Sequence, residues 1–425
     1  MKIAVIGTGI SGNVAAYHLQ KEHDVTVFEA NDYIGGHTHT HDIDWQGKRY
    51  AVDTGFIVFN EKTYPNFIQL LDELKVEAKP TTMSFSVKSE INGLEYNGHS
   101  LNTLFAQRRN LFNPSFHSMI RDILRFNREA PLSLQNGLAD ISLGEYLKLN
   151  GYGKMFIDHY IIPMGAAIWS TNAAMMQHFP ARFFIRFFDH HGLLDVVNRP
   201  RWFVVKGGSR EYVAPLVKSF ENNIRLNTPV ESIKRFPGHV EITSRQQPVE
   251  RFDAVFVATH SDQALAMLDD PSKQERQVLG AIRYQQNEAV LHTDSSILPA
   301  RKRAWAAWNY HMTPDQRDQV AVTYNMNILQ GIDAPEQFCV TLNNSKAIRQ
   351  QCIIKRINYQ HPVYTAETVA AQQRQSEING VNRTYYCGAY WRNGFHEDGV
   401  VSALDAIKHF KQATGNEELY LRRAS

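Results

Sequence analysis

The chain opens on an unbroken apolar run, Lys2-Ile3-Ala4-Val5-Ile6, of the kind that forms a strand buried on both faces. A turn of sequence Gly7-Thr8-Gly9-Ile10-Ser11-Gly12 follows. Val14, Ala15, Ala16, Tyr17 and Leu19 then keep helical spacing, and Asp24-Val25-Thr26-Val27-Phe28-Glu29 reads as a second strand closing on an acid. Further along, 283–292 (RYQQNEAVLH) and 319–326 (QVAVTYNM) read as strands. Val400, Val401, Ala403, Leu404 and Ile407 read as a helix, with Glu397-Asp398-Gly399 at its start, where acids and glycine belong. In the stretch 181–188 (ARFFIRFF), four phenylalanines fall at helical positions i, i+1, i+4 and i+5, and Arg182 and Arg186 share another face. That pattern fits a buried helix with a charged rim, the wall of an apolar tunnel, or a helix docked on a membrane surface. No run of eighteen apolar residues occurs, so no spanning helix is predicted. A strand starting at Lys2 leaves no room for a signal peptide, and the polar C-terminal end is expected to fray.

The first turn carries chemistry. The spacing G-x-G-x-x-G stands between a strand and a helix, and the acid follows seventeen positions after Gly12. Gly7 permits the tight turn, Gly9 lets a pyrophosphate approach the backbone, and Gly12 lets the helix pack on the sheet. The helix N-terminus offers free N–H groups to phosphates. Glu29 accepts hydrogen bonds from ribose hydroxyls and repels a 2′-phosphate, so NADP is not expected.

Composition narrows the class. The 425 residues carry 45 Lys+Arg against 43 Asp+Glu, which gives no electrostatic case for a nucleic-acid partner. Cys339, Cys352 and Cys387 are too scattered for a disulfide framework or a zinc site, so reduced thiols in a cytoplasm are expected. An aromatic share of 11% suits an apolar pocket, for which Trp305, Trp308 and Tyr310 are candidates alongside plain core packing. In the run His37-Thr38-His39-Thr40-His41, alternate imidazoles share a strand face, but no carboxylate or Cys spacing supports a metal and none is predicted. Asp189-His190-His191 reads as a solvated turn. Serine-hydrolase, zincin and P-loop signatures are absent.

Past Glu29 the sequence resembles the flavin-containing amine oxidase superfamily. That family follows its ribose acid with Gly-Gly-Arg; here Gly35-Gly36 match and His37 replaces the Arg. Further similar segments are Val52-Asp53-Thr54-Gly55-Phe56, Lys206-Gly207-Gly208-Ser209, Asn227-Thr228-Pro229-Val230, and Phe252 through Ala258-Thr259. The closing ones are Tyr385 through Gly388-Ala389, and Gly394-Phe395-His396-Glu397-Asp398-Gly399. The resemblance implies an α/β fold: a discontinuous, doubly wound, Rossmann-like FAD-binding domain (1–85, 202–263, 384–425) with an interleaved α+β substrate domain (86–201, 264–383). It implies non-covalent FAD held by Gly7, Gly9, Ile10, Ser11, Gly12, Glu29, Ala30, Gly35, Gly36, His37, Thr54, Gly55, Phe56, Val230, Ala258, Thr259, Gly388, Ala389, His396 and Glu397.

The activity so implied is hydride removal from a C–H bond placed at the flavin. Tyr364, in His361-Pro362-Val363-Tyr364, and His396 fall near the two aromatic positions that cage the amine in amine oxidases, and are the catalytic candidates. Histidine at the second position, and no clear equivalent of the lysine near flavin N5, argue against amine oxidation. The chain also resembles a bacterial branch associated with cyclopropane-fatty-acid-synthase-like methyltransferases. A hydrophobic substrate, first of all a lipid acyl chain, is therefore expected, with a methyltransferase partner and peripheral contact at the inner membrane face. The alternatives are an amine or polyamine oxidase, a polyene isomerase or desaturase, and a non-catalytic FAD-bound partner of the methyltransferase.

Overall fold

The computed structural model describes residues 1–195, 198–314 and 320–415. Its first body is a five-stranded, all-parallel sheet in the order Ile224–Arg225, Asp24–Phe28, Lys2–Ile6, Ala254–Val257, Thr384–Tyr386. Ile3 and Val5 pack on one face against Val14, Ala15, Ala403, Ile407 and Phe410, from helices Ile10–Leu19 and His396–Thr414. Ala4 and Ile6 pack on the other against Ile233, Val240 and Ile242 of a three-stranded antiparallel sheet and against Val278 and Leu279. Both faces are covered, which is why the first strand is apolar without alternation. This is the parallel, Rossmann-like sheet that the family resemblance implied, with its first strand buried on both faces as the opening pattern predicted.

The second body is a seven-stranded mixed sheet in the order Ile353–Val363, Arg283–His292, Cys339–Leu342, Val322–Asn325, Trp308–Met312, Phe85–Ser89, Glu95–Asn97. Its one parallel pair joins Trp308–Met312 to Phe85–Ser89. The strand at 283–292 has the predicted bounds. The one predicted over 319–326 is shorter: Met326 already begins a helix, capped by Asn325, and Gln319 lies outside the described residues, as does the C-terminal end from 416.

Packing moves two of the expected segment limits. The boundary at 263/264 falls inside helix Ser261–Met267. Ala264, Leu268, Val278 and Ile282 belong to the core beside the parallel sheet, and so does Ile378 on the return. By packing, 264–282 and Ile378 side with the first body, and the strands from Arg283 to Val363 build the second, with Tyr364 still in its core.

Helix Ala181–His190 is a core helix. Phe184, Ile185 and Phe188 are fully buried among Phe156, Ile162 and Trp169, while Arg182 and Arg186 are exposed. The membrane-docking reading of 181–188 is thereby corrected: its phenylalanines are already spent on the interior. Among the described residues no helix is long and apolar enough to cross a membrane.

Candidate active site

One cavity of about 1110 Å³ is lined by both bodies. Cavities for single small molecules run to roughly 300–1000 Å³, so this one has room for a dinucleotide and more.

At the parallel sheet the wall is the loop Gly7 to Ser11, then Glu29, Ala30 and Asn31, then Thr228, Pro229 and Val230. Gly7 has φ +98°, and a Cβ there would meet the Ala258 carbonyl oxygen at 2.9 Å. A Cβ on Gly12 would lie 1.9 Å from the Gly7 carbonyl oxygen, so this glycine serves helix–sheet packing and is not on the cavity wall. Gly9 differs: a Cβ there meets no atom within 4 Å, because it points into open cavity. The Glu29 carboxylate accepts from the Thr8 N–H at 2.8 Å, the Asn31 N–H at 2.9 Å and Asn31 Nδ2 at 2.8 Å. The Thr8 hydroxyl adds a fourth donor at 2.5 Å, so two donors already sit on each oxygen and a ribose hydroxyl takes the place of one of them. An open glycine loop at a helix N-terminus, facing a preoriented acid, fits an adenosine diphosphate group.

The middle of the wall comprises Gly35, Gly36, His37, Thr54, Gly55, Phe56, Ala258, Thr259, Gly388, Ala389 and His396. His396 stacks on Phe56 at 3.7 Å, and its Nε2 lies 2.7 Å from the Tyr212 hydroxyl. Burial pushes its pKa down to about 3, so it is a fixed neutral ring and not a proton donor. Glu397 is corrected as a side-chain contact: its carboxylate turns away to accept from the Asn66 N–H at 3.0 Å, Asn66 Nδ2 at 2.6 Å and the Phe67 N–H at 2.8 Å. The reason is a tertiary contact, since helix Pro65–Glu73 starts there with N–H groups that need acceptors.

Three imidazoles meet on this wall. His37 lies 5.6 Å from His361 and 6.2 Å from His260, and stacks on Tyr359 at 4.9 Å. His37 Nε2 is buried without a hydrogen-bond partner. Burial first, and then the neighbouring imidazoles, hold the His37 pKa well below the usual value. Of the sequence run 37–41 only His37 reaches the cavity: His39 stacks on Tyr33, and His41 Nε2 lies 3.2 Å from Thr54 Oγ1. The cluster drew no sequence signal because two loops, carrying His37 and His260, pack against the strand Ile353–Val363 that carries His361, and no spacing in the chain records that.

The remaining wall is apolar and aromatic. Tyr364 is buried, stacks on Phe183 at 5.2 Å and has an unpartnered hydroxyl. Phe187 stacks on His191 at 3.8 Å and on Phe395 at 5.2 Å. His191 is thus a buried wall residue and not part of a solvated turn, while Asp189 and His190 stay exposed. Trp308 lines the cavity; Trp305, which donates to the Pro299 carbonyl at 2.8 Å, and the core residue Tyr310 do not. Tyr160, Met164, Ile168 and Trp169 complete this side, from a π-helical turn (Ile157–Ile161) and the helix after it. Among the described residues, the cavity wall holds one acid, Glu29, one arginine, Arg199, and no lysine.

Comparison with known proteins agrees with this architecture. A fatty acid isomerase from P. acnes, described as CLA-producing, superposes with TM-score 0.67 at 17% identity, covering 96% of this chain and 98% of its own. Cyclohexylamine oxidase from Brevibacterium oxydans IH-35A gives 0.68 at 14% identity, covering 98% and 99%. A putative protoporphyrinogen oxidase from Exiguobacterium sp. 255-15 gives 0.70 at 16% identity, covering 97% and 98%. At these identities the likeness is one of fold. No curated protein matched by sequence. Residues 10–293 match the family model for flavin-containing amine oxidoreductases, and with that match over most of its length the chain belongs to that family.

Proposed function

We propose that this flavin-dependent oxidoreductase takes a hydride from a C–H bond of a hydrophobic substrate carrying an acyl chain. FAD, when bound, supplies the hydride acceptor. The chain's part is to bind, orient and exclude water: the glycine loop and Glu29 take the nucleotide, and the rings of Phe187, Trp169, Tyr364 and Trp308 confine the substrate. The observation that carries the reading is the charge of that confined space. Among the described residues its single acid, Glu29, stands at the nucleotide end, so an ammonium ion in the aromatic half finds no carboxylate among them to offset its desolvation. A polyamine, with several such charges, fits worst. What supports non-covalent FAD is Cys387, which is buried off the cavity wall with its thiol pushed up to about 12 by burial.

The test is the visible spectrum of the purified protein during anaerobic titration. Flavin bands near ~450 nm that bleach with acyl lipids or free fatty acids support the proposal. Bleaching with amines alone overturns it in favour of an amine oxidase. Bands that no acyl lipid, fatty acid or amine bleaches favour the non-catalytic partner of a methyltransferase. Denaturation should release all the flavin; yellow colour remaining on the unfolded chain contradicts the non-covalent assignment.

A further inference from the structure

An exposed apolar patch lies beside the cavity mouth. Ile91 is 62% exposed, Leu101 77%, Leu111 45% and Phe112 88%. They sit on one knitted surface. Gln107 Nε2 donates to the Gly93 carbonyl at 2.7 Å and Arg109 Nη2 donates to it at 3.2 Å, tying the turn Arg108–Phe112 to the hairpin tip that carries Ile91. Arg108 donates to the Phe105 carbonyl at 2.9 Å, tying the same turn to the short helix Leu101–Leu104. Solvated leucine and phenylalanine side chains at this exposure are costly, and such clustering marks a contact surface.

The charge around the patch is mostly basic, the exposed exception being Glu90 beside Ile91, which lies 2.8 Å from His311 Nε2. From Tyr96 to Arg121 the sequence contains Arg108, Arg109 and Arg121 and no Asp or Glu. The turn Lys302–Ala304 packs on the same helix and adds exposed Lys302 and Arg303. The whole chain is nearly neutral at +2, so this basic density is local. Gly98 and His99, just before the helix, are exposed and also line the cavity. Apolar side chains ringed by Arg and Lys at a cavity entrance match a negatively charged lipid surface, where the rings and aliphatic groups enter the headgroup layer and the cations meet the phosphates. Two copies of this patch facing each other would bring like charges together.

We propose that the surface formed by Ile91, Leu101, Leu111 and Phe112 with Arg108, Arg109, Lys302 and Arg303 docks the protein on an anionic lipid bilayer and sets the cavity mouth against it. The acyl-substrate reading supplies the purpose of this docking, but the binding itself is measurable without turnover. The FAD-loaded, full-length protein is floated with vesicles of phosphatidylcholine alone, or of phosphatidylcholine with phosphatidylglycerol, at low and high salt. Binding is expected to the anionic vesicles only and to weaken with salt. The double variant K302E/R303E should lower it by about tenfold or more, since each basic residue near the surface contributes independently. Phe112→Asp should lower it too. All variants should keep wild-type melting temperature and flavin absorbance, because the altered side chains are exposed. Absence of binding to anionic vesicles, equal binding to both vesicle types, or unchanged binding by the variants overturns the proposal. A wild-type dimer that Phe112→Asp splits, with no vesicle binding, assigns the patch to a second copy instead. If lipids fail to bleach the flavin while vesicle binding survives, the substrate reading falls and this one stands.

Discussion

Gly9 and Gly12 sit three positions apart and are needed for different reasons. Gly12→Ala would force its new methyl group to 1.9 Å from the Gly7 carbonyl oxygen, with the Gly7 backbone unable to yield and Ala258 Cβ at 3.2 Å beside it. It should lower the melting temperature by several degrees and weaken FAD binding with it. Gly9→Ala meets no protein atom, so its melting temperature without cofactor should stay within a degree or two of wild type while FAD binding collapses. Calorimetry of the apoprotein and a fluorescence titration with FAD separate the two; equal thermal losses would contradict the assignment. Glu29→Gln should weaken FAD roughly ten- to a hundredfold, as expected when charge-assisted hydrogen bonds are lost. These residues were legible in the sequence because the strand, turn, helix and acid that make the nucleotide end are contiguous. His260 and His361, by contrast, were not recognisable as neighbours of His37, since 101 positions separate them from each other.

Helix Ala181–His190 shows how one element divides its faces. Phe188 belongs wholly to the interior, while Phe187 also faces the cavity. Phe188→Ala should cost about 3–5 kcal/mol, read from denaturant unfolding. Phe187→Ala opens space on the cavity side, so it should cost less and should shift substrate preference toward bulkier or longer chains, read from kcat/KM across a chain-length series. A Phe187→Ala variant with unaltered preference would remove this helix from the substrate wall. The helix and its amphipathic pattern were readable in the sequence, but which of three apolar surroundings it met was not. Periodicity identifies a face to be covered and not what covers it.

The molecule as a whole buries many neutral imidazoles. Burial lowers His41, His191, His292 and His361 to about 4, and His396 to about 3. Unfolded histidines titrate near ~6.5, so between about 4 and 6.5 the unfolded chain holds more protons and stability rises with pH. Asp53 and Asp398 act oppositely. Burial pushes them up to about 6 and about 7, so their contribution is present at low pH and lost as pH rises through those values. Five histidines outweigh two carboxylates by roughly three protons near pH 5. The melting temperature is therefore expected to fall steadily on acidification from pH 6.5 to pH 4, measured by scanning calorimetry. A flat profile over that range would contradict the buried, neutral state of the histidines.

By itself the sequence determined the cofactor half. Strand, glycine turn, helix and acid follow one another within thirty residues, and each is dictated by backbone geometry and short-range hydrogen bonding. The same local logic marked the helix that starts at His396, while Gly35-Gly36 was marked by the family resemblance. Only the tertiary structure decided the substrate half. Its wall takes Tyr160, Phe187, Trp308 and Tyr364 from separate segments, and what joins them is the pairing of strands distant in the chain and the packing of helices on them. Tertiary packing also turned Glu397 aside to cap a neighbouring helix, placed His191 inside and left Phe112 outside. Apolar pattern records how much surface must leave water; which cavity or core receives it depends on contacts that no local stretch of sequence contains.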